Sequence, residues 1–130
     1  MDLYKKEAQI NLDLYHFFLN QLYDLKQVSQ GETLSFFDEL EVYLQLEKGN
    51  EQRLLKTFFN LKEKKSLDAL SLAVGFYFFS KIFSRRKDFL QSLMFLKKSQ
   101  NYLHQENKNW DSFIQKEIHI LELACQASYN

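Results

Sequence analysis

Proline is absent from this 130-residue chain, and glycine occurs only at Gly31, Gly49 and Gly75. Sheet proteins of this size spend Gly, Pro, Asn and Asp on many tight turns. A chain so poor in turn formers is therefore expected to make few turns and long helices. Leu, Lys, Glu and Gln, which cost little in a helix, dominate its non-aromatic residues. The expectation is an all-α fold of about six antiparallel helices, either a helical-repeat-like array or a compact bundle. No linker rich in Gly, Ser or Pro divides the chain, so residues 1–130 read as a single all-α domain.

Apolar side chains recur at a three-to-four spacing, which draws one stripe on each helix. Leu3, Ile10, Leu14, Phe17, Phe18, Leu22 and Leu25 mark a first helix ending near Val28. Thr33 is expected to cap a second, with Phe36, Phe37, Leu40, Tyr43 and Leu44 inside and Gly49-Asn50 as its stop. A third helix should run from Glu51 to Lys62 and bury Leu54, Leu55, Phe58 and Phe59. Ser66 and Asp68 open a fourth that reaches about Ser84. Lys87-Asp88 opens a fifth through about His104, with Phe89, Leu93, Leu96 and Leu103 inward; a sixth runs from Trp110 to Ala127. The short connections between them favour antiparallel neighbours.

The fourth helix carries the densest apolar run, from Leu70 to Phe83, with five aromatic rings and Lys81 as its only charge. Its uncharged core from Ala69 to Ser80 falls short of the roughly twenty residues that cross a bilayer. The apolar pattern from Leu67 to Phe83 is too long for an ordinary strand. A helix apolar nearly all round is one packed on several sides by other helices.

Phe76, Phe79, Ser80 and Phe83, followed by Ser92, Leu96 and Ser99, resemble a tetratricopeptide repeat, in which two antiparallel helices recur about every 34 residues. Aromatic and large aliphatic positions fill the interface in that family, and small positions let the two backbones approach. Trp110 and Phe113 stand where the next repeat would begin, so the resemblance covers about one repeat, residues 76–113. His104 occupies the usual proline place, Ile114 a small one and Glu117 an aromatic one; the sixth helix thus reads as a terminal cover. The resemblance implies a concave groove lined by first helices. There, exposed Tyr77, Lys81 and Arg85, with Arg86 beside them, are the candidate partner-binding residues.

Lys and Arg together equal Asp and Glu at 17 each, so net charge exerts no pull toward nucleic acid or anionic membrane. Locally the charges separate. Glu32, Asp38, Glu39, Glu41 and Glu47 crowd one segment; Lys81, Arg85, Arg86, Lys87, Lys97 and Lys98 crowd another; Arg53, Lys56, Lys62, Lys64 and Lys65 form a second basic group. A basic surface of this kind suits an acidic peptide, a carboxylate terminus or phosphate.

His16, His104 and His119 fall on different helices, and Asp13-x-x-His16 is a single motif where a di-metal bundle needs a pair. His119, Glu122 and Cys125 share three-residue steps but read as residues flanking an apolar stripe. No Gly-rich phosphate loop or nucleophile elbow is present. No enzyme activity, metal or cofactor is expected. Lone Cys125 has no internal disulfide partner, and the charged amino-terminal segment lacks a signal-peptide pattern; both lead us to expect a cytoplasmic protein without a membrane partner.

The function expected is a non-catalytic protein- or peptide-binding adaptor or chaperone with an acidic partner. A small helical immunity protein that neutralises a toxin is the alternative, and nucleic-acid binding through the basic clusters is a weaker third. The 13 Phe and 7 Tyr exceed what one small core comfortably hides, which adds a homodimer to the expectations.

Overall fold

Twelve residues of one helix, Ser71 to Ser80 together with Ile82 and Phe83, are buried, and the other helices are arranged to bury them. The computed structural model describes the backbone of residues 2–106 and 108–129 and the side chains of 12–105 and 108–127. The side chains of Leu3 and Ile10, and all of Asn107, lie outside the described residues. Six helices follow in order: α1 (Asp2–Val28), α2 (Gly31–Leu46), α3 (Glu51–Glu63), α4 (Ala69–Arg85), α5 (Phe89–Glu106) and α6 (Asp111–Tyr129). A 3-10 turn at Lys108–Trp110 leads into α6, and there is no strand among the described residues. Each helix packs on the next in sequence, and α1 also packs on α4 and α6.

Local chemistry sets the boundaries. Asn50 and Asp68 accept hydrogen bonds from the backbone N–H groups of Arg53 and Ser71, at 3.0 and 2.8 Å, and so cap α3 and α4. Asp88 does the same for Gln91 at the start of α5. Thr33 is no cap, because α2 already begins at Gly31, whose φ of +60° turns the chain between α1 and α2. Gly49 does not stop α2 either. The left-handed residue there is Glu47, whose N–H returns to the Tyr43 carbonyl at 2.9 Å. Lys65 and Lys87 play the same part after α3 and α4. The next N–H in each case, of Ser66 or Asp88, reaches back to Leu61 or Phe83 in a Schellman pattern at 3.0 Å.

The α4–α5 pair is held by serines. Ser80 Oγ donates to the Ser92 carbonyl and Ser92 Oγ to the Ser80 carbonyl, both at 2.7 Å, while Ser99 Oγ donates to the Ala73 carbonyl at 2.7 Å. Short side chains let the helices approach, and each of these three buried serine hydroxyls finds a carbonyl across the interface. On another side of α4, Gly75 allows the Phe58 ring of α3 to lie on the helix backbone. That ring belongs to a layer of Phe36, Phe76 and Phe79, with centroids 5.0 to 5.6 Å from its own. Phe59, expected in the core, is instead 36% exposed at the edge of this layer.

A methyl group at Gly75 would sit 2.2 Å from Phe58 Cε1, and the layer leaves the ring no free direction to move. Gly75→Ala is expected to lower unfolding free energy by at least about 1 kcal/mol, although alanine is the better helix former by about the same amount. Urea denaturation tests this through a lower midpoint at unchanged m-value.

Candidate functional site

Tyr77, Lys81 and Arg85 do lie along one stripe of α4, one helical step apart, but α1 and α6 cover most of it. Tyr77 is fully buried, stacked on Phe18 of α1 with ring centroids 3.9 Å apart. Nearby, Tyr15 meets Phe78 edge-on at 5.8 Å and Phe17 stacks on Trp110 at 4.5 Å. The expectation of an exposed Tyr77 is thereby corrected: the amphipathic α1 needs an apolar seat, and this stripe supplies it. The aromatic surplus goes the same way, into contacts between helices. Among the described residues, Tyr23 and Phe59 are the exposed aromatic side chains.

The Tyr77 hydroxyl is buried without a hydrogen-bond partner, and its burial holds the phenol well above its ordinary pKa. Beside it, Lys81 Nζ lies 5.2 Å from the Tyr77 ring centroid and is paired with the Glu117 carboxylate of α6. Burial, and then the charge of Arg85, push Lys81 down to about 8. The touching carboxylate pulls in the opposite direction. Glu117 is itself buried, with Oε2 unpartnered. Lys81 is therefore not a free docking group; it is the electrostatic anchor of α6.

Arg85 and Arg86 emerge half-exposed at the end of α4. Arg85 lies 3.5 Å from Glu47, and Arg86 is paired with the buried Glu51. Tyr43 donates to the other oxygen of Glu51 at 2.6 Å, a bond that raises the Tyr43 pKa. With Ile82 these side chains line a cavity of about 140 Å³. Both arginines thus tie the α4–α5 turn to the α2–α3 turn while keeping part of each guanidinium in solvent.

The segregated charges of the sequence resolve in the same manner. Lys26 of α1 pairs with Asp38 at 2.9 Å and Glu41 at 2.7 Å, and those two bonds raise its pKa. Arg53 pairs with Glu39, and Lys64 with Glu32 at 3.3 Å. All three arginines of the chain are committed to acids, Glu39 on α2, Glu47 just after it and Glu51 at the start of α3. Among the described residues, Lys56, Lys62, Lys97 and Lys98 take no part in these ion pairs and remain on α3 and α5.

Two of these lysines belong to one surface. Phe59 on α3 and Phe95 on α5 approach to 6.3 Å, and both rings contact Phe76 of α4. Lys98 Nζ stands 5.5 Å from the centroid of that same Phe76 ring, and Tyr102 stacks on it at 5.8 Å. Lys62 follows Phe59 at the same interval that separates Lys98 from Phe95, which puts a lysine about one turn beyond each phenylalanine. Sequence reasoning missed this pairing because it assigned Phe59 to the core. The matched Phe-x-x-Lys spacing on the third and fifth helices was the available signal.

His104 Nδ1 lies 2.5 Å from Asp111 Oδ2, bridging α5 to the start of α6 at the place where the resemblance expected proline. His119, Glu122 and Cys125 do not assemble a site: no group of three His, Cys, Asp or Glu side chains among the described residues is placed to hold a metal ion. No described helix is long and apolar enough to cross a membrane. Comparison with family models, curated proteins and solved structures gave no match.

Removing one member of the buried Lys81–Glu117 pair strands a charge. Lys81→Met alone is expected to cost about 3–5 kcal/mol, and the double variant Lys81→Met/Glu117→Leu to recover most of that loss. Equilibrium denaturation of the four proteins of the cycle tests the pairing, and strictly additive losses would disprove it.

Proposed function

We propose that this chain is a non-catalytic adaptor or chaperone of helical-repeat type, which binds an acidic protein or peptide through the face shared by α3 and α5. The observation that carries the reading is the exposed Phe59 ring, backed by the buried Phe95 and Phe76, with Lys98 over Phe76 and Lys62 about one turn on from Phe59. An exposed ring offers a partner apolar area with little entropy to lose. Flanking ammonium groups attract carboxylates over roughly a Debye length, about 8–10 Å at ordinary salt. Glu63 is the one acid on the same stretch of α3, so the local balance stays basic. Lysine suits this role, being a flexible point charge, whereas the planar arginines are spent on internal pairs. Partial exposure leaves Arg85 and Arg86 as secondary contacts at the end of α4, while Tyr77 and Lys81 serve the fold.

Affinity capture from the native host, followed by mass spectrometry, tests the reading. The wild-type chain is expected to recover a partner whose retention falls as salt rises. A Phe59→Ser/Lys62→Glu/Lys98→Glu variant, shown by circular dichroism to be folded, is expected to lose it. Equal recovery by the variant removes this face from consideration.

A further inference from the structure

The opposite flank of α3 faces α2, and two cavities open along that seam. One, of about 370 Å³, has Phe36 and Leu61 in its floor and Ser35, Thr57 and Asn60 in its walls. The other, of about 290 Å³, is lined by Val42 and Leu54 together with the Lys48–Asn50 turn. Glu39 and Arg53 line both cavities, and their ion pair is the partition between them. Both side chains are substantially exposed, at 40% and 64%, so the bridge is easily exchanged. The polar side chains of Ser35, Thr57 and Asn60 line the larger cavity. A second pair, Glu32 with Lys64, closes the far side of the larger cavity.

We infer that the α2–α3 seam binds a small zwitterion bearing an α-ammonium and an α-carboxylate, a free amino acid or a short peptide. A ligand with both charges inserts into the Glu39–Arg53 bridge without leaving either residue unpaired: its carboxylate takes the Arg53 guanidinium and its ammonium takes Glu39. A ligand with one charge breaks the bridge and strands one partner. Ser35, Thr57 and Asn60 supply neutral hydrogen bonds to an amide, and the apolar cavity at Val42 and Leu54 receives an aliphatic side chain. The larger volume lies at the small end of the roughly 300–1,000 Å³ typical of ligand pockets, which favours a molecule of one or two residues. This site and the α3–α5 face are independent, since Thr57 and Phe59 point to opposite sides of α3.

The test is titration of the isotopically labelled full chain, followed by amide NMR, with L-leucine and with glycyl-L-leucine. N-acetyl-L-leucine and L-leucinamide serve as single-charge controls. Saturable shifts are expected at residues 35, 39, 53, 57 and 60 with at least one zwitterion, while residues 59, 62, 95 and 98 stay unmoved. Each control, and the Arg53→Met variant, should bind at least about tenfold more weakly, the loss of one charge-assisted contact. Thr57→Trp, which fills the larger cavity, should abolish binding by the folded protein. Shifts with leucine itself identify a free amino acid; shifts with the dipeptide alone identify a peptide. No saturable shift from either zwitterion at millimolar concentration, controls that bind as well, or undiminished binding by Thr57→Trp would each overturn the inference.

Discussion

Burial of α4 on nearly every side is the constraint from which the rest of the structure follows. An isolated helix with rings at Phe76, Tyr77, Phe78, Phe79 and Phe83 has no polar face to give to water, so neighbours must cover it. Each does so by different chemistry. The ring of Phe58 lies against the bare backbone of Gly75; Ser80 and Ser92 hydroxyls each donate to the other's carbonyl between α4 and α5; Phe18 of α1 stacks on Tyr77; Glu117 of α6 meets Lys81. The contacts differ in what they tolerate. Dispersion contacts between rings accept modest repacking, the close approach at Gly75 accepts almost none, and the buried ion pair accepts joint replacement but not the loss of one partner.

Charge organises the exterior around this core. Acids on and beside α2 receive cations from α1, α3 and α4, so that arginines which look available in the sequence act as ties between helices. Such exposed pairs contribute little stability one by one. Their consequence is selective: they neutralise one flank and leave lysines as the uncommitted cations on α3 and α5. The α2–α3 seam carries charge in matched pairs, and the α3–α5 face carries it unmatched. The two surfaces consequently suit different ligands, a zwitterion in one case and an acidic partner in the other.

Much of the fold was legible in the sequence, and the reasons are local. Turn-former scarcity and three-to-four spacing led to an all-α chain with six helices, and Asp68 and Asp88 act at the expected helix starts, while Asn50, read as part of a stop, caps α3. The small residues Ser80, Ser92 and Ser99 mark close helix contact, as their size suggested. Helix ends were harder to read. Glu47, Lys65 and Lys87 adopt left-handed backbone closed by local helix-end hydrogen bonds, and residues that are neither Gly nor Asn give no sign of it in the sequence. The candidate site was read least well. An i, i+4 stripe establishes that Tyr77, Lys81 and Arg85 share a face, but not what lies on that face. Here α1 does, and a long-range pairing of Phe18 with Tyr77 leaves no local trace.

The central claim is that α4 is the buried axis on which every other helix depends. Native-state hydrogen exchange tests it most directly. Amides from Ser71 to Phe83 are expected to exchange only through global unfolding, with protection free energies equal to the stability measured by denaturation and with the same denaturant dependence. Exchange of those amides through a smaller, local opening, while α1 or α6 remained protected, would contradict the account.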